Sequence, residues 1–378
     1  MHLALGILGV ALILIILLDG FESIVLPRRV GRRFRPARLF YIVTWKPWAA
    51  LARRVKTKRR QNTLLGLFGP SSMIGLLILW ALSLVFGFAL VEWSIGAPLH
   101  ATDGHPTLFD YLYMSGVTFF TLGYGDVTPT DTSGRIVAVI EAGVGFGFLA
   151  VVIGYLPVLY SVFSRREVSI SLLDARAGSP PTAFELLRRL ARAGDLRPLD
   201  TILQEWERWS AELLESHISF PVLAYYRSQH DNQSWLGAIT AILDTCAIVM
   251  AGIRGVNPYH AGLTFAIARH AIVDMALIFN THPTGPTVER LPGDCIDLLR
   301  KALKDAGYEP FDSPGFDQKL AELRAMYEPF VNALSKRFLF DLPAMKATAA
   351  TVDNWQTSAW MRRVPGFVEI AGRDDHFD

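Results

Sequence analysis

The stretch "TFFTLGYGDVTPT", residues 118–130, sets two glycines around Tyr124, just after Thr121 and just before Asp126. These residue types suit the handling of a bare cation. A cation that sheds its water needs a replacement shell of oxygens, and a run of backbone carbonyls facing one way supplies it. An ordinary strand does not, because it alternates from one side to the other along its length. Alternating positive and negative φ would turn the carbonyls together, and Gly123 and Gly125 adopt positive φ at little steric cost. Thr121 adds a hydroxyl at the inner end, Tyr124 turns its ring outward to brace the loop, and Asp126 holds the outer mouth and attracts cations. The oxygens expected to meet an ion therefore belong to Thr121, Leu122, Gly123, Tyr124 and Gly125.

The chain around this loop is apolar. Of its 378 residues 51% are hydrophobic, yet 19% are charged, and mean hydropathy is +0.29. That combination implies a membrane part joined to a polar part. Three segments read as spans. Residues 3–18 are apolar throughout, and the helix can run to about Leu26 with Asp19 and Glu22 at headgroup level. A secretory leader is not expected, for want of a basic start and a small-residue cleavage site. Residues 71–92 form the second span and residues 134–163 the third. Between the first two, from Pro27 to Arg60, stand thirteen Lys and Arg and no Asp or Glu. Such a bias places the linker in the cytoplasm, the N-terminus outside and the C-terminal part inside. Tyr41, Trp45 and Trp48 among these cations suggest a helix at the interface of anionic lipid, not a nucleic-acid site.

Residues 107–120 are too short for a spanning helix. A short helix entering part way, with an extended return through "TLGYG", makes a re-entrant loop. Irregular backbone at that depth is tolerated where protein buries it or where it lines a watery path. "TLGYGD" resembles the signature of the tetrameric potassium-channel family, with Leu122 where valine is usual, and "GRIVAV" is similar to the start of that family's inner helix. The likeness covers about residues 107–160. It implies an all-α membrane protein: a pore domain of outer helix, re-entrant pore helix and filter, and inner helix, with an extra N-terminal transmembrane helix and a helical cytoplasmic domain. It further implies a homotetramer, no resident cofactor beyond permeant K+ at residues 121–125, no enzymatic activity, and a place in the plasma or inner membrane. The pattern departs at Phe120, where a second threonine is common, and at Tyr113 and Met114, where a tryptophan pair is common.

Glu141 is the one acid inside the third span and needs a partner. A hydrogen bond behind the filter to Ser115 or Thr118, a cation-attracting position facing the pore, and a partner on the first span all remain open. Gly145 falls at the family's hinge position. Gly154 and Pro157 lie lower, where the proline deletes a backbone hydrogen bond. Hinge bending and close helix packing are both open for these residues. No span carries regularly spaced basic residues, so a voltage sensor is not expected.

The expected divisions are 1–26 for the first span, 27–69 for the basic linker, 70–164 for the pore domain and 165–378 for a helical cytoplasmic domain. Within the last, Thr182 and Glu185 form a capping box, and helices are expected near 198–216, 233–253, 260–280, 287–305 and 315–340. The second and third of these approach spanning length, but Asp244, Arg269, His270 and Asp274 interrupt them, which favours the core of a polar bundle with these residues in a satisfied network. A metal site from Asp244, His270 and Asp274 is the minor alternative. Cys246 and Cys295 read as buried free thiols, and no nucleotide-binding glycine loop occurs, so the sequence assigns no regulatory ligand to this domain. The functional expectation is a potassium-selective channel regulated by the helical domain. The alternative is a non-conducting membrane-anchored sensor or scaffold acting through that domain.

Overall fold

The computed structural model describes residues 2–26, 35–100, 106–192, 196–230, 232–253, 256–286, 289–291, 294–305 and 314–345. Residues 27–34 of the basic linker and the chain after 345 lie outside these. The fold is helical, with one two-stranded ribbon, and it divides into two compact units.

The first unit holds residues up to Arg54 together with Leu67–Ser161. Helix α1, His2–Gly20, ends in a π turn at Phe21–Val25. It lies against α3, Lys58–Ile95, where small residues let the backbones meet: a Cβ on Gly9 would stand 2.7 Å from the Gly87 carbonyl oxygen. Such close crossings hold helices together in lipid, where apolar burial gives no preference for protein over hydrocarbon. Asp19 is fully buried, and Oδ2 accepts from the Ala37 amide at 2.8 Å and from Trp80 Nε1 at 3.0 Å. The first bond caps α2, Pro36–Arg54, and the second ties α1 to α3. Arg35 Nε stands 3.5 Å from Glu22 Oε2 and completes the joint. Helix α2 packs Trp45 on Phe68 of α3, with ring centroids 4.8 Å apart, and leaves Leu39, Val43 and Leu51 exposed. The short α4, Leu108–Phe119, and the long α5, Thr132–Ala177, complete the unit's helices. The ribbon pairs Leu99–His100 with Thr128–Pro129 in antiparallel register and closes the loops flanking α4.

The second unit holds Val55–Gly66 and the residues from Val162 onward. The end of α5 belongs to it, burying Ile170, Leu173 and Ala177 completely. Arg166 on this stretch donates to the carbonyls of Leu223 and Tyr226, each at 2.9 Å. The next helices are α6, Ala183–Arg192, and α7, Pro198–Ser219. Thr182 Oγ1 accepts from the Glu185 amide at 3.2 Å and caps α6, while the Glu185 carboxylate binds Arg188 and Arg189 and leaves the reciprocal half of the box unmade. His217 at the end of α7 is wholly buried with its Nδ1 against the Leu213 carbonyl at 2.8 Å; burial and nearby Arg166 push it down to about 3, so it stays neutral.

Helices α8, Trp235–Gly252, and α9, Tyr259–Ile278, form the centre. Among the described residues five helices are long and apolar enough to cross a membrane, and the share of the apolar window buried within the fold sets one of them apart. It is 17%, 50% and 11% for the helices beginning at His2, Lys58 and Thr132, 44% for α9 and 89% for α8, so α8 alone stands apart. Helix α8 finds its apolar surroundings inside its own unit. The remaining helices are α10, Cys295–Asp305, α11, Pro314–Ala325, and α12, Glu328–Phe338. The expected helix at 287–305 begins only at Cys295 because Arg290 is drawn into the core, and the expected helix at 315–340 breaks at Met326–Tyr327, where Tyr327 turns inward.

The expected polar network takes a different membership. Asp244 binds Arg290 and the Tyr327 hydroxyl, and all three are buried. Arg290 also donates to the Pro343 carbonyl at 2.9 Å. Arg269 lies outside this network and donates to the Met326 carbonyl at 3.2 Å. His270 Nε2 lies 3.5 Å from Asp274 Oδ2 with its ring 60% exposed, so the conceivable metal triad does not converge. Both cysteines are buried free thiols.

Asp244→Ala strands a buried guanidinium and a buried hydroxyl, and is expected to destabilise the protein by about 3–5 kcal/mol. Tyr327→Phe removes one donor and should cost about 1 kcal/mol. Thermal unfolding of the full chain in detergent reads both. Equal losses would show that the hydroxyl, not the charge pair, carries the joint.

Candidate functional site

The pore-helix segment begins where Asp110 of α4 gathers the Thr107 amide at 2.7 Å and the Thr107 hydroxyl at 2.8 Å. Helix α4 buries Tyr111, Met114, Ser115, Val117 and Phe119, so its apolar stripe faces protein. At its C-terminal end three otherwise orphaned carbonyls are taken up by the loop that follows. Phe120 N donates to Gly116 O at 3.1 Å, Thr121 N to Thr118 O at 3.0 Å, and Leu122 N to Val117 O at 2.8 Å. The start of "TLGYG" is thereby fixed to the helix.

From there the backbone alternates in hand. Thr121 has φ 56°, Gly123 φ 63° and Gly125 φ 77°, while Leu122 and Tyr124 between them keep negative φ. Alternation of this kind turns successive peptide planes the same way, as the glycine spacing predicts. Two of the three positions are glycines, for which this hand is free; Thr121 bears a cost of about 1–2 kcal/mol. Residues 121–126 are all exposed in the single chain.

The outer end is braced by a contact that the sequence did not announce. The Tyr113 hydroxyl donates to Asp126 Oδ2 at 2.7 Å, which links α4 to the loop and holds the Asp126 carboxyl below its ordinary range. The phenol of Tyr113 is the donor that joins the helix to the outer end of the loop. The bond favours the ionised form of Asp126.

Behind the loop, Glu141 of α5 is fully buried with Oε1 2.5 Å from Ser115 Oγ. Ser115 Oγ also lies 2.8 Å from the Val85 carbonyl of α3. Of the hydroxyls expected near Glu141, Ser115 meets it and Thr118 does not. Glu92 of α3, which the sequence reading did not single out, is also fully buried in this unit.

Gly145 supports the loop from below. A Cβ there would lie 2.0 Å from the Phe119 carbonyl oxygen, so α5 passes in direct contact with the last turn of α4. Gly143, Gly147 and Gly154 face open space in the single chain. Pro157 lies within α5, which runs unbroken through it.

These elements form an ion-channel pore domain: two long helices with a re-entrant helix and an extended loop held between them. Residues 75–160 match the family described as "Ion channel" (Ion_trans_2), a family of channels and not of enzymes. The chain is a multi-pass membrane protein carrying that domain. Among similar proteins, the uncharacterized membrane protein YdjJ of Bacillus subtilis (strain 168) is 28% identical over 48% of this chain and 55% of its own length. Protein LctB of Bacillus caldotenax is 37% identical, and protein LctB of Geobacillus stearothermophilus 34%, each over 20% of this chain and 64% of its own length. The chain thus spans less than two thirds of each relative. No solved structure matches it.

Gly145→Ala must displace the Phe119 carbonyl two residues before Thr121, an overpacking expected to cost about 1–3 kcal/mol. It should lower ion flux through reconstituted protein well below that of Gly143→Ala and Gly147→Ala. Equal flux in all three variants would show that the contact does not position the loop.

Proposed function

We propose that the chain forms a potassium-selective channel, assembled from four copies around the exposed loop. The observation that carries this reading is the alternation of φ at Thr121, Gly123 and Gly125, with the residues between them exposed along one strip. One chain offers one wall of a cation path, and a ring of four closes it. In the ring, carbonyl oxygens of residues 121–125 and the Thr121 hydroxyl replace the water of K+, which moves in single file down its gradient. No bond is made or broken. Asp126, tied by Tyr113, sets a negative outer mouth, and Ser115 and Glu141 stiffen the wall from behind.

In the same reading the linker and the second unit are cytoplasmic and the N-terminus is outside. The exposed face of α2 carries Arg38, Lys46, Arg53 and Arg54 beside Leu39, Val43 and Leu51, a composition suited to anionic lipid at the inner surface. Helix α5 has residues in both units, and regulation of the pore by the second unit would act through it. Gly154 and Pro157 are the places where that helix can bend. An open, structured strip at residues 121–125 favours conduction over the scaffold reading.

Reconstitution into vesicles tests this directly. Potassium flux should exceed sodium flux strongly, and Gly123→Ala or Gly125→Ala, each forcing a side chain into a hand that costs about 1–2 kcal/mol per chain, should abolish flux or its selectivity without preventing insertion. Unchanged selectivity in both variants would reject the assignment of residues 121–125.

A further inference from the structure

The hydrogen bonds behind the pore helix have one acceptor too many. Ser115 Oγ has a single proton and two oxygen neighbours, Val85 O at 2.8 Å and Glu141 Oε1 at 2.5 Å. A carbonyl can only accept. If both contacts are bonds, Ser115 donates to Val85 and Glu141 donates to Ser115, so Glu141 carries a proton on Oε1. Glu92 on α3, close enough to Glu141 to act on it electrostatically, is fully buried with neither carboxyl oxygen partnered, and Glu141 Oε2 is unpartnered as well. Among the described residues no Lys, Arg or His pairs with either acid.

Other titratable groups around the pair are few. Helix α4 contributes Tyr111, whose hydroxyl is committed to the Ala97 carbonyl at 2.7 Å, and the exposed Asp110 at its start. The head of α5 contributes exposed Asp131, held by Ser133, and Arg135, which donates to the Pro129 carbonyl at 3.3 Å. Helix α1 brings His2, edge-on to Trp93 with centroids 6.4 Å apart. None supplies a compensating cation. Two ionised carboxylates in apolar surroundings without one are strongly disfavoured.

We infer that Glu92 and Glu141 form a buried proton-binding site behind the pore helix, and that its occupancy decides which helix Ser115 is tied to. With the proton bound, the chain of bonds runs from Glu141 through Ser115 to Val85 and fastens α5, α4 and α3 together. When the proton leaves to water, the Glu141 carboxylate becomes the stronger acceptor and takes the Ser115 hydroxyl, since charge-assisted bonds exceed neutral ones. Val85 O then loses its bond from α4, and the pore helix is released from α3. Glu92 tunes the event: an ionised Glu92 opposes ionisation of Glu141, and the two titrate as a coupled pair.

Only the flux readout rests on the proposed conduction; the proton site is read independently. Infrared spectra of the full-length protein in lipid should show a protonated-carboxyl band near neutral pH that disappears as pH rises and is weakened in Glu141→Gln, where the part contributed by Glu92 remains. Potassium flux should fall over the same pH range. In Glu141→Gln, whose amide donates to Ser115 without titrating, that fall should be lost. Glu92→Gln removes the opposing charge and should move the loss of both band and flux to lower pH. Absence of the band, or an unchanged flux profile in Glu141→Gln, overturns the site, and an unchanged midpoint in Glu92→Gln removes Glu92 from it. A band that titrates as described in a protein with no potassium flux would sustain the proton site and reject the channel.

Discussion

Extended backbone inside a membrane has no water to satisfy it, and the rest of the pore domain follows from that constraint. The loop at residues 121–125 exists only because α4 takes up its first amides, Tyr113 holds its outer end through Asp126, and Gly145 lets α5 press against the turn from which it emerges. Each support is a hydrogen bond or a close backbone contact. Apolar burial has little to offer between helices surrounded by hydrocarbon. The same preference appears at the N-terminal helix, which is held by a glycine crossing and by Asp19.

The second unit solves a different problem. Its central helix α8 is as apolar as a membrane span, yet protein surrounds it, and one buried acid is accommodated by a guanidinium and a phenol from distant parts of the chain. Breaking that arrangement is costly because whichever partner remains is left charged or polar in the core. The unit also includes Val55–Gly66, so the helix leading into the pore domain and the helix leading out both have an end built into it.

Much of the pore was legible in the sequence because its requirements are local. Glycines at 123 and 125 are demanded by backbone hand, the twelve residues of α4 by length, and a lone acid at 141 by the cost of burying it unpartnered. The contacts that depend on which surfaces meet were not legible. Nothing in the spacing shows that Tyr113 reaches Asp126, that Ser115 and not Thr118 meets Glu141, or that Gly145 meets the Phe119 carbonyl. Helical spacing grouped Arg269 with His270 and Asp274, whereas the partner of Asp244 is Arg290, 46 residues away and outside any helix. Periodicity reports which residues share a face and is silent on what that face will touch.

The central claim is that four copies of residues 121–125 face one axis and replace the water of a potassium ion. Its most direct measurement is the structure of the assembled protein in lipid or detergent with thallium substituted for potassium, read by anomalous scattering. The account predicts a fourfold axis with anomalous peaks in single file, each ringed by carbonyl oxygens of residues 121–125. An assembly in which this strip faces lipid or lies buried between only two chains, with no metal on it, would contradict the account.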